Sequence, residues 1–334
     1  MTKAKKIFGT AVVVLVALLL VAVCAGSVYM LNFSLSNKGH ADLFGQKMER
    51  EFGRYPEVAQ WYDSLGRAGA LRDTFITMRT GERAHALFVR ASKEENPMAE
   101  GADNAARTGK TAICVHGYTD CLADMLHIAR IYERAGYNIL LPDLHGHGLS
   151  DGNDIQMGWK DRLDVLEWAK VADEIFRDST GTTRQVIHGV SMGAATTMCV
   201  SGEDTPGYIR CFVEDCGYTS VWDEFSGELR TLFGLPEFPM MHATSLLCKL
   251  VHGWGFKEAS PLKQVAKCSK PMLFIHGDND SYVPTDMVYP LYDAKPGEKE
   301  LWLAPGSKHA VSYMDHKAEY TRRVLEFTEK HLDR

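Results

Sequence analysis

Apolar and polar positions change character three times along the chain. From Ile7 to Leu31 no charged residue occurs, and Lys3, Lys5 and Lys6 stand just ahead of the run. At about 1.5 Å per residue a helix here spans about 37 Å, enough to cross a hydrocarbon core of about 30 Å with some tilt. Residues 32–70 mix polar and aromatic positions. They predict short helices around 48–52 and 61–65, read as a stalk packed on the domain downstream of it. Thr74–Thr80 and Arg83–Ala91 alternate in the manner of strands around Gly81-Glu82, a hairpin pattern. Ser92–Lys110, poor in large apolar residues, predicts a surface loop.

Beyond that loop, short β-branched runs alternate with helical patterns. Strands are predicted at Thr111–His116, Asn138–Pro142, Gln185–Val190, Ile209–Glu214, Pro271–His276 and Glu300–Leu303. Helices are predicted at Cys121–Ala135, Trp159–Phe176, Ala194–Val200 and His316–His331. In the second helix, Trp159, Leu163 and Leu166, then Trp168, Val171 and Ile175, follow the spacing of one buried face. Continuous apolar strands between helices predict an α/β fold with a mostly parallel sheet covered on both sides. The alternation breaks at about 217–265, where Trp222, Phe225 and Phe233 lead a run of large apolar residues. Such a stretch is too long for an ordinary connection and too apolar for a disordered one, and it predicts a helical lid. The expected organisation is therefore a cytoplasmic tail at 1–6, a transmembrane anchor at 7–31, a stalk at 32–70 and a catalytic domain at 71–334.

Charge and cysteine content refine this. The net charge is −6 with no long basic run, so nothing resembles a nucleic-acid footprint. Lysines ahead of the apolar run hold the N-terminus in the cytoplasm and send the domain across the membrane. Cleavage as a signal peptide is the alternative, with Val23-Cys24-Ala25 as a weak site. Lipidation at Cys24 fits less well, since Val23 is not the small residue it needs. Outside the anchor stand Cys114, Cys121, Cys199, Cys211, Cys216, Cys248 and Cys268, an odd set that leaves at least one thiol without a partner in the chain. No Cys-x-x-Cys spacing occurs.

The chemistry gathers around Gly189-Val190-Ser191-Met192-Gly193, which follows an apolar strand and opens a small-residue helix. A serine on a tight strand-to-helix turn projects its hydroxyl beyond the sheet, and flanking glycines let the backbone bend without clashes. Serine at its ordinary pKa needs a histidine base and an orienting carboxylate. Downstream, His276-Gly277-Asp278-Asn279-Asp280 places Asp278 and Asp280 on the loop after one strand. Gly306-Ser307-Lys308-His309 places a histidine on the loop after the next. His316 and His331, in the last helix, read as surface residues. The backbone N–H groups of Tyr118, after His116-Gly117, and of Met192 are candidates for an oxyanion hole.

These motifs, with Asp143-Leu144-His145-Gly146-His147-Gly148, resemble the α/β-hydrolase superfamily over roughly residues 71–334, particularly its serine aminopeptidase-like and acylglycerol-lipase-like members. The N-terminal anchor and stalk are similar to those of membrane-anchored bacterial members. The resemblance implies an α/β-hydrolase fold, Ser191 as nucleophile, His309 as base and Asp280 as the acid, with Asp278 a structural neighbour. Where members commonly carry Arg, this chain has His145. A metal reading of Asp143, His145, His147 and Asp151 fails because Leu149 and Ser150 stand where ligands are needed. No metal or cofactor is expected.

The expected reaction is acyl transfer to water from an ester, amide or thioester, carboxylesterase- or lipase-like first and peptidase second. An acyltransferase would use the same intermediate, and a non-catalytic binding protein would carry a broken triad. The apolar lid, with Trp222, Phe225 and Phe233 as candidate substrate contacts, suggests a hydrophobic substrate. Glu214, Asp215 and Asp223 suggest instead recognition of an amine. The expected partners are a small-molecule or peptide substrate and the bilayer; oligomeric state is not legible.

Overall fold

The computed structural model describes residues 3–37, 43–91 and 109–332. The loop expected at 92–110 thus lies almost wholly outside the described residues, as do the side chains of the tail expected at 1–6. The chain opens with α1 (Lys3–Leu35), α2 (Phe44–Arg54) and α3 (Pro56–Ala68). The strands β1 (Leu71–Thr77), β2 (Arg83–Val89) and β3 (Lys110–Val115) follow, then a 3-10 turn at Leu122–Met125, α4 (Leu126–Arg134) and β4 (Asn138–Pro142). Next come α5 (Asp161–Phe176), β5 (Arg184–Val190), α6 (Met192–Ser201) and β6 (Ile209–Asp215). Helices α7 (Val221–Phe233), α8 (Met240–His252) and α9 (Pro261–Val265) precede β7 (Met272–Gly277), α10 (Val288–Ala294) and β8 (Lys299–Ala304). Two helices, α11 (Ser312–Asp315) and α12 (Lys317–Leu332), close the chain.

All eight strands form one sheet in the order β1-β2-β4-β3-β5-β6-β7-β8. Strand β2 runs antiparallel to both of its neighbours, and every other pairing is parallel. The central strands β4 and β7 are buried at every position because helices cover both faces of the sheet. The edge strand β1 keeps the alternation of a half-exposed strand. Pairing of Val115 with Gly189 and of Val190 with Asp215 brings the carboxyl ends of β3, β5 and β6 level with one another.

The chain divides into two compact units. The larger comprises Asn37–Thr219 and Ser260–Arg334, so α2 and α3, expected as a stalk, lie within it. Tyr55, Val58, Trp61 and Leu65 join its main core. Its α5 buries a different face from the one expected: Val165, Trp168, Ala169, Ala172 and Phe176 are buried, whereas Leu163, Leu166, Val171 and Ile175 are half-buried. Small residues set the inner stripe, since Ala169 and Ala172 lie fully inside and the Ala169 carbonyl accepts a hydrogen bond from Gln185 Nε2 at 2.8 Å. His331 is buried rather than at the surface, against Phe327.

The smaller unit joins α1 to Ser220–Ala259, the heart of the stretch expected as a lid. Over Ile7–Leu35, α1 is long and apolar enough to cross a membrane. Its first half is exposed, while Ser27, Leu31 and Leu35, spaced four apart, are buried on α8 and its surroundings. Phe225 and Phe233 line an apolar cleft with Met30, Phe33 and Met241, and Trp222 packs edge-on against His242.

Candidate active site

Ser191 sits between β5 and α6 with φ of 59° and ψ of −119°, a left-handed conformation that non-glycine residues seldom adopt. Its N–H donates to the Asp215 carbonyl at 2.8 Å, which ties the strained residue to β6. The glycines on either side are demanded by space. A Cβ on Gly189 would lie 2.0 Å from the Gly193 carbonyl oxygen, and one on Gly193 would lie 2.0 Å from that of Val115.

Ser191 Oγ is 2.8 Å from His309 Nε2. On the other side of the ring, His309 Nδ1 is 2.7 Å from Asp280 Oδ2. The second oxygen of Asp280 accepts the N–H groups of Tyr282 at 2.9 Å and Val283 at 3.1 Å. Burial works to raise the Asp280 pKa, but hydrogen bonds from His276 and His309 outweigh it and hold the carboxyl at about 2. The other aspartate on this loop, Asp278, accepts the Gly306 N–H at 2.5 Å and so braces the loop that carries His309. The order serine, acid, histidine is therefore joined in space, with Asp280 rather than Asp278 on the ring.

Met192 opens α6, where backbone N–H groups lack intrahelical partners. Gly117 lies so close to the nucleophile that a Cβ there would come within 3.4 Å of Ser191 Cβ, and Tyr118 follows it. Gly117, Tyr118, Ser191 and His309 share a cavity of about 340 Å³, lined by residues of the larger unit.

The opposite wall was not anticipated. It is built by α2, which supplies Arg50, Glu51 and Arg54. The sequence did carry a signal: Lys47, Arg50, Glu51 and Arg54 fall at three- and four-residue spacing, one charged helix face. Lys47 Nζ lies 3.1 Å from Asp120 and 3.3 Å from Asp124, and Arg50 pairs with both. Burial works to raise Asp124, yet Lys47 and Arg50 hold it below its ordinary value. Glu51 accepts the His127 backbone N–H at 3.1 Å and lies 2.7 Å from His127 Nδ1. Among the described residues no carboxylate comes within ion-pair distance of Arg54.

The carboxylates considered for amine recognition are occupied in other ways. Glu214 is fully buried, its Oε2 accepts the Gly217 N–H at 3.0 Å, and burial pushes it up to about 8. Asp215, pushed up to about 6 by burial, accepts the Tyr320 hydroxyl at 3.0 Å. Asp223 accepts the Ser220 hydroxyl at 2.6 Å at the start of α7. Asp143 accepts backbone N–H groups from Leu122 and Leu149 and lies 2.7 Å from His85 Nδ1, so its loop is held by hydrogen bonds. All eight cysteines are free thiols, and those outside α1 are buried.

A serine on a strand-to-helix elbow, hydrogen-bonded to a histidine that is itself held by an acid, on this sheet order, defines an α/β-hydrolase-fold serine hydrolase. The sequence pattern of the prolyl oligopeptidase family matches residues 122–334, and the chain belongs to that family. It is 30% identical over 226 residues to the uncharacterized protein YqkD of Bacillus subtilis, covering 68% of this chain and 73% of that one. Among solved structures it is similar to the Pyrococcus furiosus esterase Pf2001, with a TM-score of 0.60, 22% identity and coverage of 78% and 93%. It is also similar to an acylaminoacyl peptidase in complex with a peptidyl chloromethyl ketone, with a TM-score of 0.58, 16% identity and coverage of 78% and 41%. At those identities the two structures speak for the fold alone.

Proposed function

We propose that this chain hydrolyses a carboxylic ester through an acyl-enzyme on Ser191. The carrying observation is the unbroken chain of short contacts from Ser191 Oγ through His309 to Asp280, inside a cavity open to substrate. Ser191 Oγ attacks the carbonyl carbon while His309 Nε2 takes the hydroxyl proton. Asp280, held ionised, accepts the Nδ1–H and balances the charge that forms on the ring. The N–H groups of Tyr118 and Met192 receive the developing oxyanion, each such donor contributing about 2.7–4 kcal/mol. The protonated ring returns its proton to the departing alkoxide. Water then attacks the acyl-enzyme with His309 again as base, freeing acid and Ser191.

Ester is preferred over a peptide with a free amine because carboxylates near the site are engaged, while Arg54 on the cavity wall has no ion-pair partner among the described residues. That favours a substrate bearing an anionic group at the end remote from the reacting carbonyl. Peptide hydrolysis is the second reading, favoured by the family match. An acyltransferase would hand the same acyl group to an alcohol. We place the reaction at a membrane held by α1, with the lysines before it in the cytoplasm and the larger unit outside.

A fluorophosphonate probe tests the nucleophile: the folded wild type labels and Ser191→Ala does not. If wild type stays unlabelled, the reading is wrong. Hydrolysis of p-nitrophenyl esters against aminoacyl-anilides then separates ester from peptide, and faster anilide turnover would reverse the preference.

A further inference from the structure

We infer that the turn joining α7 to α8 is seated in the lipid headgroup boundary beside α1, so that the smaller unit grips the bilayer through a second apolar element. The turn is fixed against α1 between Gly26 and Phe33. Met240, at the start of α8, packs on Gly26, where an added Cβ would come within 2.7 Å of its terminal methyl, and its sulfur lies 3.9 Å from Ser27 Oγ. Phe233, at the end of α7, meets Phe33 edge-on with ring centres 5.6 Å apart.

The Gly26 end of that stretch coincides with a membrane boundary. Counted from Ile7, a hydrocarbon core of about 30 Å takes about 20 residues of helix and ends near Gly26. Along this stretch the turn displays large exposed apolar side chains: Leu232 is 55% exposed, Leu235 39% and Phe238, whose ring meets His242 edge-on, 73%. Between Arg230 and Lys249 the only formally charged residue is Glu237, which lies 3.6 Å from Arg230. An exposed apolar tip with charges behind it suits the boundary between acyl chains and headgroups. The occupant is taken to be the bilayer rather than a soluble partner because this surface runs on from α1, whose own first half is exposed and apolar.

The test uses the full chain in phosphatidylcholine nanodiscs with Cys24→Ala, since the remaining cysteines are buried. F238C, and separately L235C, is labelled with an environment-sensitive fluorophore; K330C, at an exposed position of α12, serves as the aqueous reference. The expected result is a blue-shifted probe at both turn positions, quenched by lipids brominated near the headgroup and at least about threefold less accessible to iodide than the reference. Iodide access equal to the reference at both positions would overturn the inference. So would shielding from iodide without quenching by brominated lipid, which would mean that protein, such as a second copy, covers the turn. Fluorophosphonate labelling of each variant reports on folding independently of either outcome.

Discussion

Asp280→Asn is the most discriminating single change, because the surroundings decide how the new amide must sit. The side chain keeps its shape, and the N–H groups of Tyr282 and Val283 still require an acceptor on one side. The amide oxygen therefore stays there and the NH2 turns toward His309 Nδ1, 2.7 Å away. A donor in that position makes Nδ1 the acceptor and leaves the ring proton on Nε2, where it cannot take the Ser191 proton. The wrong tautomer in a serine hydrolase costs about 10⁴-fold in kcat, or about 5.4 kcal/mol at 1.36 kcal/mol per tenfold. Stability shifts too. Asp280 is held at about 2 against an ordinary value of 3.8, so it stabilises the fold above about pH 4, and that contribution disappears as pH falls toward 2. The variant should thus be less stable at pH 7, with the gap closing in acid. Steady-state turnover of a p-nitrophenyl ester, beside thermal unfolding in detergent at pH 7 and pH 3, reads both effects. A variant within about tenfold of wild type, while Ser191→Ala is inactive, would refute the orienting role.

Three further outcomes follow from the geometry. Glu214→Gln should flatten the pH dependence of stability: the buried carboxyl keeps its proton up to about 8, so the wild type loses stability as pH rises from about 4.5 to 8, and denaturant unfolding at pH 5, 7 and 9 would reveal matching slopes if this is wrong. Arg54→Ala should raise KM for a hemisuccinate ester about threefold to fivefold and leave the neutral acetate unchanged, as expected for a partly exposed ion pair; equal effects on both esters would count against an anionic substrate. Gly193→Ala, which forces a Cβ to 2.0 Å from the Val115 carbonyl, should cost more than about 3 kcal/mol or prevent folding, as measured by unfolding and by yield of folded protein.

The sheet was legible because its strands are short, β-branched and mostly apolar runs: β2 to β8 sit within two residues of their predicted places, and β1 begins and ends three residues earlier than predicted. The triad was legible because loop order fixes it: Ser191, Asp280 and His309 each follow a strand that the pattern reveals. The α5 face was misread because small alanines rather than Leu163 and Ile175 face inward, and apolarity alone does not rank size. The wall from α2 was missed for a different reason. It lies more than a hundred residues before Ser191 in the chain, and only the tertiary fold brings Arg54 into the cavity with it. The lid expectation drew on the apolar content of 217–265, but part of that content is spent within the smaller unit, where Phe233 and Met240 meet α1.

That last packing bears on where α1 can be cut. The final turns of α1 are structural, since Ser27, Leu31 and Leu35 are buried in the smaller unit. A protease cutting after Ala25 would remove the exposed apolar part of α1 yet leave those turns in place, giving a protein whose smaller unit stays packed. Expression from residue 36 onward would instead strip the helix away and bare Phe233 and Met240 to water. The position of the cut, more than the loss of the apolar helix itself, would then decide whether the shortened form is soluble.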